Sequence, residues 1–145
     1  MTIYRYIYFT ILSVYKRFNR DPQINIFAVG FFSVIIFFTI LTIWGVFQYY
    51  VLHQYELSPK FMIISGASVF LFNTFYFLFD NNRQEGYYNT FSKQKNKYGS
   101  IAVAFYIVIV FVLMIWTATK LREKNLEKKQ QITEIIKKTS ENRGF

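Results

Sequence analysis

Three long stretches of the chain contain no charged residue, and they limit its fold more than any other feature. None of the 25 Asp, Glu, Lys and Arg residues falls within 22–55, 61–79 or 98–119. Hydrophobic residues make up 53% and aromatic residues 22% of the 145 positions. A soluble domain of this length buries too small a fraction of its surface to hide so many aromatic side chains. Lipid is therefore the solvent that we expect around these stretches.

Within the charge-free stretches we predict three transmembrane helices, at 26–47, 61–79 and 98–119. The first and third contain 22 residues each. A helix of that length spans about 33 Å, which is enough for a hydrocarbon core of about 30 Å. The second contains 19 residues and is the most polar of the three. The sequence thus predicts an all-α membrane protein with about three transmembrane helices in a membrane domain at 22–119.

Residues 1–21 are predicted to form an amphipathic helix in the plane of the membrane interface. Apolar and tyrosine side chains recur there at spacings of three and four, which places them on one helical face. These are Tyr4, Ile7, Tyr8, Ile11, Tyr15 and Phe18. The uncharged part is too short to span a bilayer, and the basic residues after it do not resemble a signal-peptide cleavage site. The candidates for binding anionic lipid headgroups are Arg5, Lys16, Arg17 and Arg20.

The polar segments are predicted to lie outside the bilayer. Residues 80–97 are expected to be a polar connection, and residues 120–145 a charged helical tail with eight basic and four acidic residues. The formal net charge is +9, but the basic residues flank apolar runs, which favours anionic lipid over nucleic acid as the partner. The tail is interpreted as a solvated extension that frays toward Gly144. The alternative is a partner-docking helix, with an apolar patch at Ile132, Ile135 and Ile136.

The distribution of basic residues leaves three possible topologies. With a cytoplasmic N-terminus and three full spans, eight basic residues lie inside and nine outside. The first span favours this orientation, because three basic residues lie just before it and none follows before Lys60. If 61–79 is re-entrant, both termini lie inside, with twelve basic residues against five. Insertion in both orientations is the third possibility. We predict that the first span dominates, so that the N-terminus is cytoplasmic.

Chemistry-bearing residues are scarce in the spans. They hold no Asp, Glu, Lys or Arg, and such residues usually mark proton or ion pathways in membranes. His53, the only histidine, lies at a span end and is interpreted as a plain polar residue. There is no cysteine, and no glycine-rich phosphate loop or hydrolase motif. The sequence predicts no enzyme activity, no metal and no cofactor, and it argues against a transporter.

Small and polar residues in the spans predict where helices pack. In lipid, helices associate through small residues that allow close approach and through polar side chains that bond between helices. The candidates are Gly30, Ser33, Ser65, Gly66, Ser68, Asn73, Ser100 and Ala104. Asn73 is the strongest of them, since a carboxamide that faced lipid would remain unpaired. These residues are expected to hold the chain's own helices together, and the alternative is an interface with another chain.

The layout of the chain resembles a group of small uncharacterised bacterial inner-membrane proteins. The similar features are a Tyr-rich basic N-terminal helix, Asp21-Pro22 before a Phe/Ile-rich span, and a loop from Tyr87-Tyr88 to Lys97 before a third span. The resemblance covers 1–119, excludes the basic tail and implies no site residues. The leading hypothesis is a non-enzymatic accessory or assembly subunit in a bacterial inner membrane, which binds a membrane-protein partner or itself. The alternative is a homo-oligomeric pore or membrane-disrupting effector, with Ser65, Ser68, Asn73 and Thr74 lining the opening.

Overall fold

The computed structural model describes residues 2–18, 23–53, 58–79, 81–94 and 96–142, and every element in these ranges is helical. The helices are α1 (Ile3–Phe18), α2 (Ile24–Phe47), α3 (Pro59–Leu78), α4 (Asn81–Gln94) and α5 (Lys97–Asn142), with a π-helical turn (Gln48–Leu52) that extends α2. Three of them are long and apolar enough to cross a membrane: α2 with its extension, α3, and α5. This confirms the all-α class and the three candidate membrane-spanning helices.

Helix α2 lies at the centre of the bundle and contacts α1, α3 and α5. The ring of Phe32 meets Phe77 near the end of α3, and Trp44 stacks on Phe61 near its beginning. Helices α2 and α3 are therefore antiparallel. The hydroxyls of Thr39 on α2 and Tyr106 on α5 lie 2.9 Å apart. Gly45 faces Thr117 further along both helices, so α5 runs parallel to α2.

The extension of α2 ends at His53. The backbone N–H of His53 donates to the Gln48 carbonyl, and its φ of 49° and ψ of 31° are left-handed. A left-handed residue is a common way to stop a helix and satisfy its last carbonyls. The His53 side chain is exposed. The residue therefore serves to end a helix in this structure, and residues 54–57, which follow it, lie outside the described part.

Helix α1 docks at one end of the bundle, where α2 begins, α3 ends and α5 begins; we call this the α1 end. Its residues Tyr8 to Leu12 are all buried. Five consecutive residues cover more than one helical turn, so the middle of α1 has little exposed surface in any direction. Its partners are α2, α4 and α5, together with side chains of α3 that include Asn73, Tyr76 and Phe77. Its predicted position at the headgroups stays a prediction, and Arg20, Asp21 and Pro22 lie outside the described residues.

The predicted polar connection at 80–97 contains helix α4. Tyr87, Tyr88 and Phe91 follow helical spacing and give it one apolar face. Phe91 is only 1% exposed, and its ring centroid lies 5.9 Å from that of Phe9 on α1. The low hydrophobicity of the whole segment conceals this face in the sequence.

Helix α5 is a single helix of 46 residues, which corresponds to roughly 69 Å. Its C-terminal part continues beyond the bundle. Leu121 is the last residue of α5 that the bundle buries. Two ion pairs support the exposed part, Lys120–Glu123 at 2.8 Å and Lys124–Glu127 at 2.7 Å. Exposed pairs of this kind contribute about 0–1 kcal/mol each. Three isoleucines further along are exposed, at Ile132, Ile135 and Ile136, and residues 143–145 lie outside the described part.

Candidate functional site

A chain of hydrogen bonds joins α1, α3 and α2 at the α1 end, and we call it the Asn73 cluster. The Tyr4 hydroxyl donates to Asn73 Oδ1. Asn73 Nδ2 donates to Ser33 Oγ at 2.9 Å, and Ser33 Oγ donates to the Val29 carbonyl at 2.8 Å. Asn73 is fully buried, with 0% of its surface exposed. Both the oxygen and the nitrogen of its carboxamide are therefore bonded, each to a different helix.

The position of Asn73 follows from the helical repeat of α3. Phe77 lies four residues later, so both side chains project from the same face of α3 toward α1 and α2. Phe77 is 2% exposed. Its ring stacks on Tyr8 with the centroids 3.8 Å apart, while Tyr4 meets Phe32 edge-on at 4.8 Å. These rings exclude water from the carboxamide, and hydrogen bonds are electrostatically stronger in such surroundings.

Tyr4 of the cluster and Tyr8 beside it remain protonated at neutral pH. Burial, with a smaller contribution from Tyr76, raises the pKa of Tyr4 to about 12. Burial also raises the pKa of Tyr8 above its ordinary value. Tyr4 consequently keeps the proton that it donates to Asn73. A neutral, bonded group of this kind can hold three helices together, but it offers neither an acid nor a base near neutral pH.

The predicted headgroup ligands on α1 have different surroundings. The Nε of Arg5 donates to the Tyr76 hydroxyl at 2.8 Å, and its guanidinium lies 4.0 Å from the ring centroid of Tyr87. The Nζ of Lys16 lies 4.1 Å from the ring centroid of Tyr88. Cation–π contacts of this kind contribute about 0.5–1 kcal/mol at exposed sites. Arg5 and Lys16 thus bind α1 to α3 and α4, although Lys16 is exposed, as Arg17 is.

The small-residue segment 65–68 of α3 divides between two faces. The Ser65 hydroxyl donates to the carbonyl of Phe61 in its own helix. A Cβ on Gly66 would lie 3.4 Å from Phe37 of α2, which is ordinary van der Waals contact. Ala67 and Ser68 are exposed on the outer side. Of the polar residues predicted on α3, only Asn73 donates to or accepts from a side chain of another helix within the described part of the chain.

The remaining predicted packing residues make no such contact. A Cβ on Gly30 would meet no atom within 4 Å. Ser100 and Ala104 line an open groove between α5 and α1. Their role in helix packing stays a prediction.

Two close approaches were not predicted from the sequence. A Cβ on Gly45 of α2 would lie 2.6 Å from Thr117 Cγ2 on α5, and one on Gly99 would overlap the Tyr6 side chain. Each glycine accommodates a neighbouring side chain where no Cβ would fit. The glycines themselves are a signal that close contacts could occur at these positions, but the sequence does not identify the residue that each glycine meets.

No protein-family model matches the sequence, and neither a curated protein nor a solved structure matches it. Among the residues that the structure describes, no three His, Asp or Glu side chains form a group that could hold a metal ion. The geometry of the site is thus the basis for a functional proposal.

Proposed function

We propose that this chain is a non-enzymatic accessory or assembly subunit that works by packing a membrane helix against a partner protein. In this proposal the chain lies in a bacterial inner membrane, its N-terminus is cytoplasmic, and α1 lies close to anionic headgroups. Its first support is the Asn73 cluster, whose neutral groups are bonded within the chain. A cluster of that kind holds helices in position and leaves binding to the outer surfaces.

The observation that carries the proposal is a shallow notch on the outer side of α3. Ala67 and Ser68 are exposed there, between Ile64, which is 64% exposed, and Leu71, which is 58% exposed. Residues at these spacings share one face of a helix. Small residues between larger ones allow a second helix to approach closely in lipid, where van der Waals packing drives association. The notch is therefore suited to a helix from another protein.

The same geometry favours a subunit over a pore. A pore would require Ser65, Ser68, Asn73 and Thr74 to line one opening. Asn73 is buried against α1 and α2, while Ser68 is exposed. Five residues separate them, so their directions differ by about 140° around the helix. Within one chain these side chains do not share a face.

Purification of the tagged chain from its own membrane in mild detergent tests the proposal. We expect a foreign membrane protein to copurify in a fixed ratio, and Ser68→Leu to abolish that copurification because the added bulk fills the notch. Ala102→Leu is the matched control, since Ala102 is an exposed small residue on α5. It should retain the partner. A defined homo-oligomer without a partner, together with growth arrest on overexpression, would instead support the pore.

A further inference from the structure

An open groove of about 570 Å³ lies between α1 and α5 at the α1 end. Its apolar walls include Ile11 and Val14 of α1, Phe31 of α2, and Val103 and Ile107 of α5. Cavities of about 300–1,000 Å³ with mostly apolar linings are typical of small-molecule sites. The groove is therefore large enough for a ligand and suited to an apolar one.

Small side chains on α5 keep the groove open. Ser100 and Ala104 are one turn apart and both line it, so no bulky side chain fills the space between α5 and α1. Next to Ser100 in the sequence, Gly99 faces α1, and the Tyr6 side chain occupies the position where Gly99 would carry a Cβ. Helix α1 thus touches α5 beside the groove and leaves a gap next to the contact. The groove is a consequence of the packing of α1.

Two basic residues border this apolar space. Arg17 lies in the last turn of α1 and Lys97 is the first residue of α5; both line the groove and both are exposed. No acidic residue is among the lining residues. The groove therefore joins a positively charged rim to an uncharged, apolar interior. A ligand that complements it carries a negative charge at one end and a hydrocarbon chain at the other.

We propose that the groove binds one anionic phospholipid of the surrounding membrane. Its phosphate lies between Arg17 and Lys97, and one acyl chain follows the apolar walls toward Ile107. Guanidinium groups bind phosphate through paired hydrogen bonds, and basic pockets between transmembrane helices bind anionic headgroups. The bound lipid fills the gap between α1 and α5 and so stabilises the docking of α1. This inference rests on the proposed position of α1 close to anionic headgroups, and it does not depend on the proposed partner protein.

Thermal unfolding of the delipidated full-length chain in a neutral detergent tests the proposal. Phosphatidylglycerol should raise the unfolding temperature in a saturable way, whereas phosphatidylcholine and inorganic phosphate should not. In Arg17→Gln/Lys97→Gln, the phosphatidylglycerol concentration that gives half of the increase in unfolding temperature should rise at least about tenfold. The reason is that two charge-assisted contacts with the phosphate are lost. Lys128→Gln/Lys138→Gln removes the same charge from exposed positions on α5, and it should behave as the unmodified chain does.

A second variant tests the apolar part of the groove. Ala104→Phe places a ring where the acyl chain would lie, so phosphatidylglycerol should no longer raise the unfolding temperature. Because Ala104 is exposed and lines open space, the lipid-free variant should unfold at about the same temperature as the unmodified chain. Equal stabilisation by phosphatidylcholine, by inorganic phosphate, or by phosphatidylglycerol in Ala104→Phe would overturn the proposal.

Discussion

Replacement of Asn73 by leucine removes the centre of the Asn73 cluster at little change in side-chain size. Asn73 is fully buried and bonds to Tyr4 on α1 and Ser33 on α2. Ser33 also donates to the Val29 carbonyl, so its hydroxyl proton keeps an acceptor in the variant. The Tyr4 hydroxyl loses the acceptor that Asn73 provides. We therefore expect Asn73→Leu to weaken mainly the attachment of α1 to α3.

The size of the effect follows from the number of bonds lost. Hydrogen bonds between helices in a membrane contribute about 0.6 kcal/mol on average and about 1.7 kcal/mol at most. Two such bonds give a loss of about 1–3 kcal/mol in the free energy of unfolding. Leucine adds apolar contacts with the surrounding rings, which offsets part of this loss. The net destabilisation by Asn73→Leu should thus lie in the lower half of that range.

A double-mutant cycle with Tyr4→Phe separates the shared bond from other effects. Unfolding in detergent is measured for Tyr4→Phe, Asn73→Leu and the double variant, with Asn89→Leu as a matched control. Asn89 is exposed on α4, so its replacement should change stability by no more than about 0.5 kcal/mol. A coupling energy of about 0.6–1.7 kcal/mol is expected between Tyr4 and Asn73. Strictly additive losses, or an Asn73→Leu chain as stable as the original, would refute the role of the cluster.

Two further predictions concern topology and helix contacts. Tags with opposite compartment sensitivity should report the N-terminus inside, residue 88 inside and the C-terminus outside; an outside report at residue 88 would contradict three full crossings. Replacement by leucine should lower the unfolding temperature in detergent most at Gly45, less at Gly66 and least at Gly30. The reason is that an added Cβ meets Thr117 at 2.6 Å, Phe37 at 3.4 Å and no atom, respectively. Overpacking in a tight contact costs about 1–3 kcal/mol, and an effect at Gly30 as large as that at Gly45 would refute this ranking.

The spans could be predicted from the sequence because lipid leaves the backbone few choices. Every backbone polar group in the bilayer core must be bonded within the protein, so a charge-free run of sufficient length indicates a helix. The predicted range 26–47 lies within Ile24–Leu52. The predicted range 61–79 lies within Pro59–Leu78 except for its last residue. Helix α4 was not predicted, because its apolar face consists of only a few aromatic residues in a polar segment.

The contacts within the site depend on pairing, which a single sequence does not contain. The argument that a buried carboxamide needs partners singles out Asn73, and the structure places it at 0% exposure. The same argument does not identify Tyr4, which lies 69 positions away along the chain. Small residues show the same limit: Gly30 faces open space whereas Gly45 meets Thr117. Residue type indicates that a position can pack closely, and only the fold determines whether a neighbour is present.

The packing of α3 connects the Asn73 cluster to the proposed function. Helix α3 has two buried residues, Asn73 and Phe77, whereas α2 has eight. The contacts of α3 with the rest of the bundle include Phe61 on Trp44 at one end, Gly66 beside Phe37, and Asn73 with Phe77 at the α1 end. Both buried residues of α3 thus lie at the α1 end, and Phe77 is the one buried apolar side chain among them. The hydrogen bonds of Asn73 therefore make a larger relative contribution to holding α3 than they would for α2. They fix α3 from its inner side, so the notch at Ala67 and Ser68 remains directed outward, where the proposed partner helix would contact it.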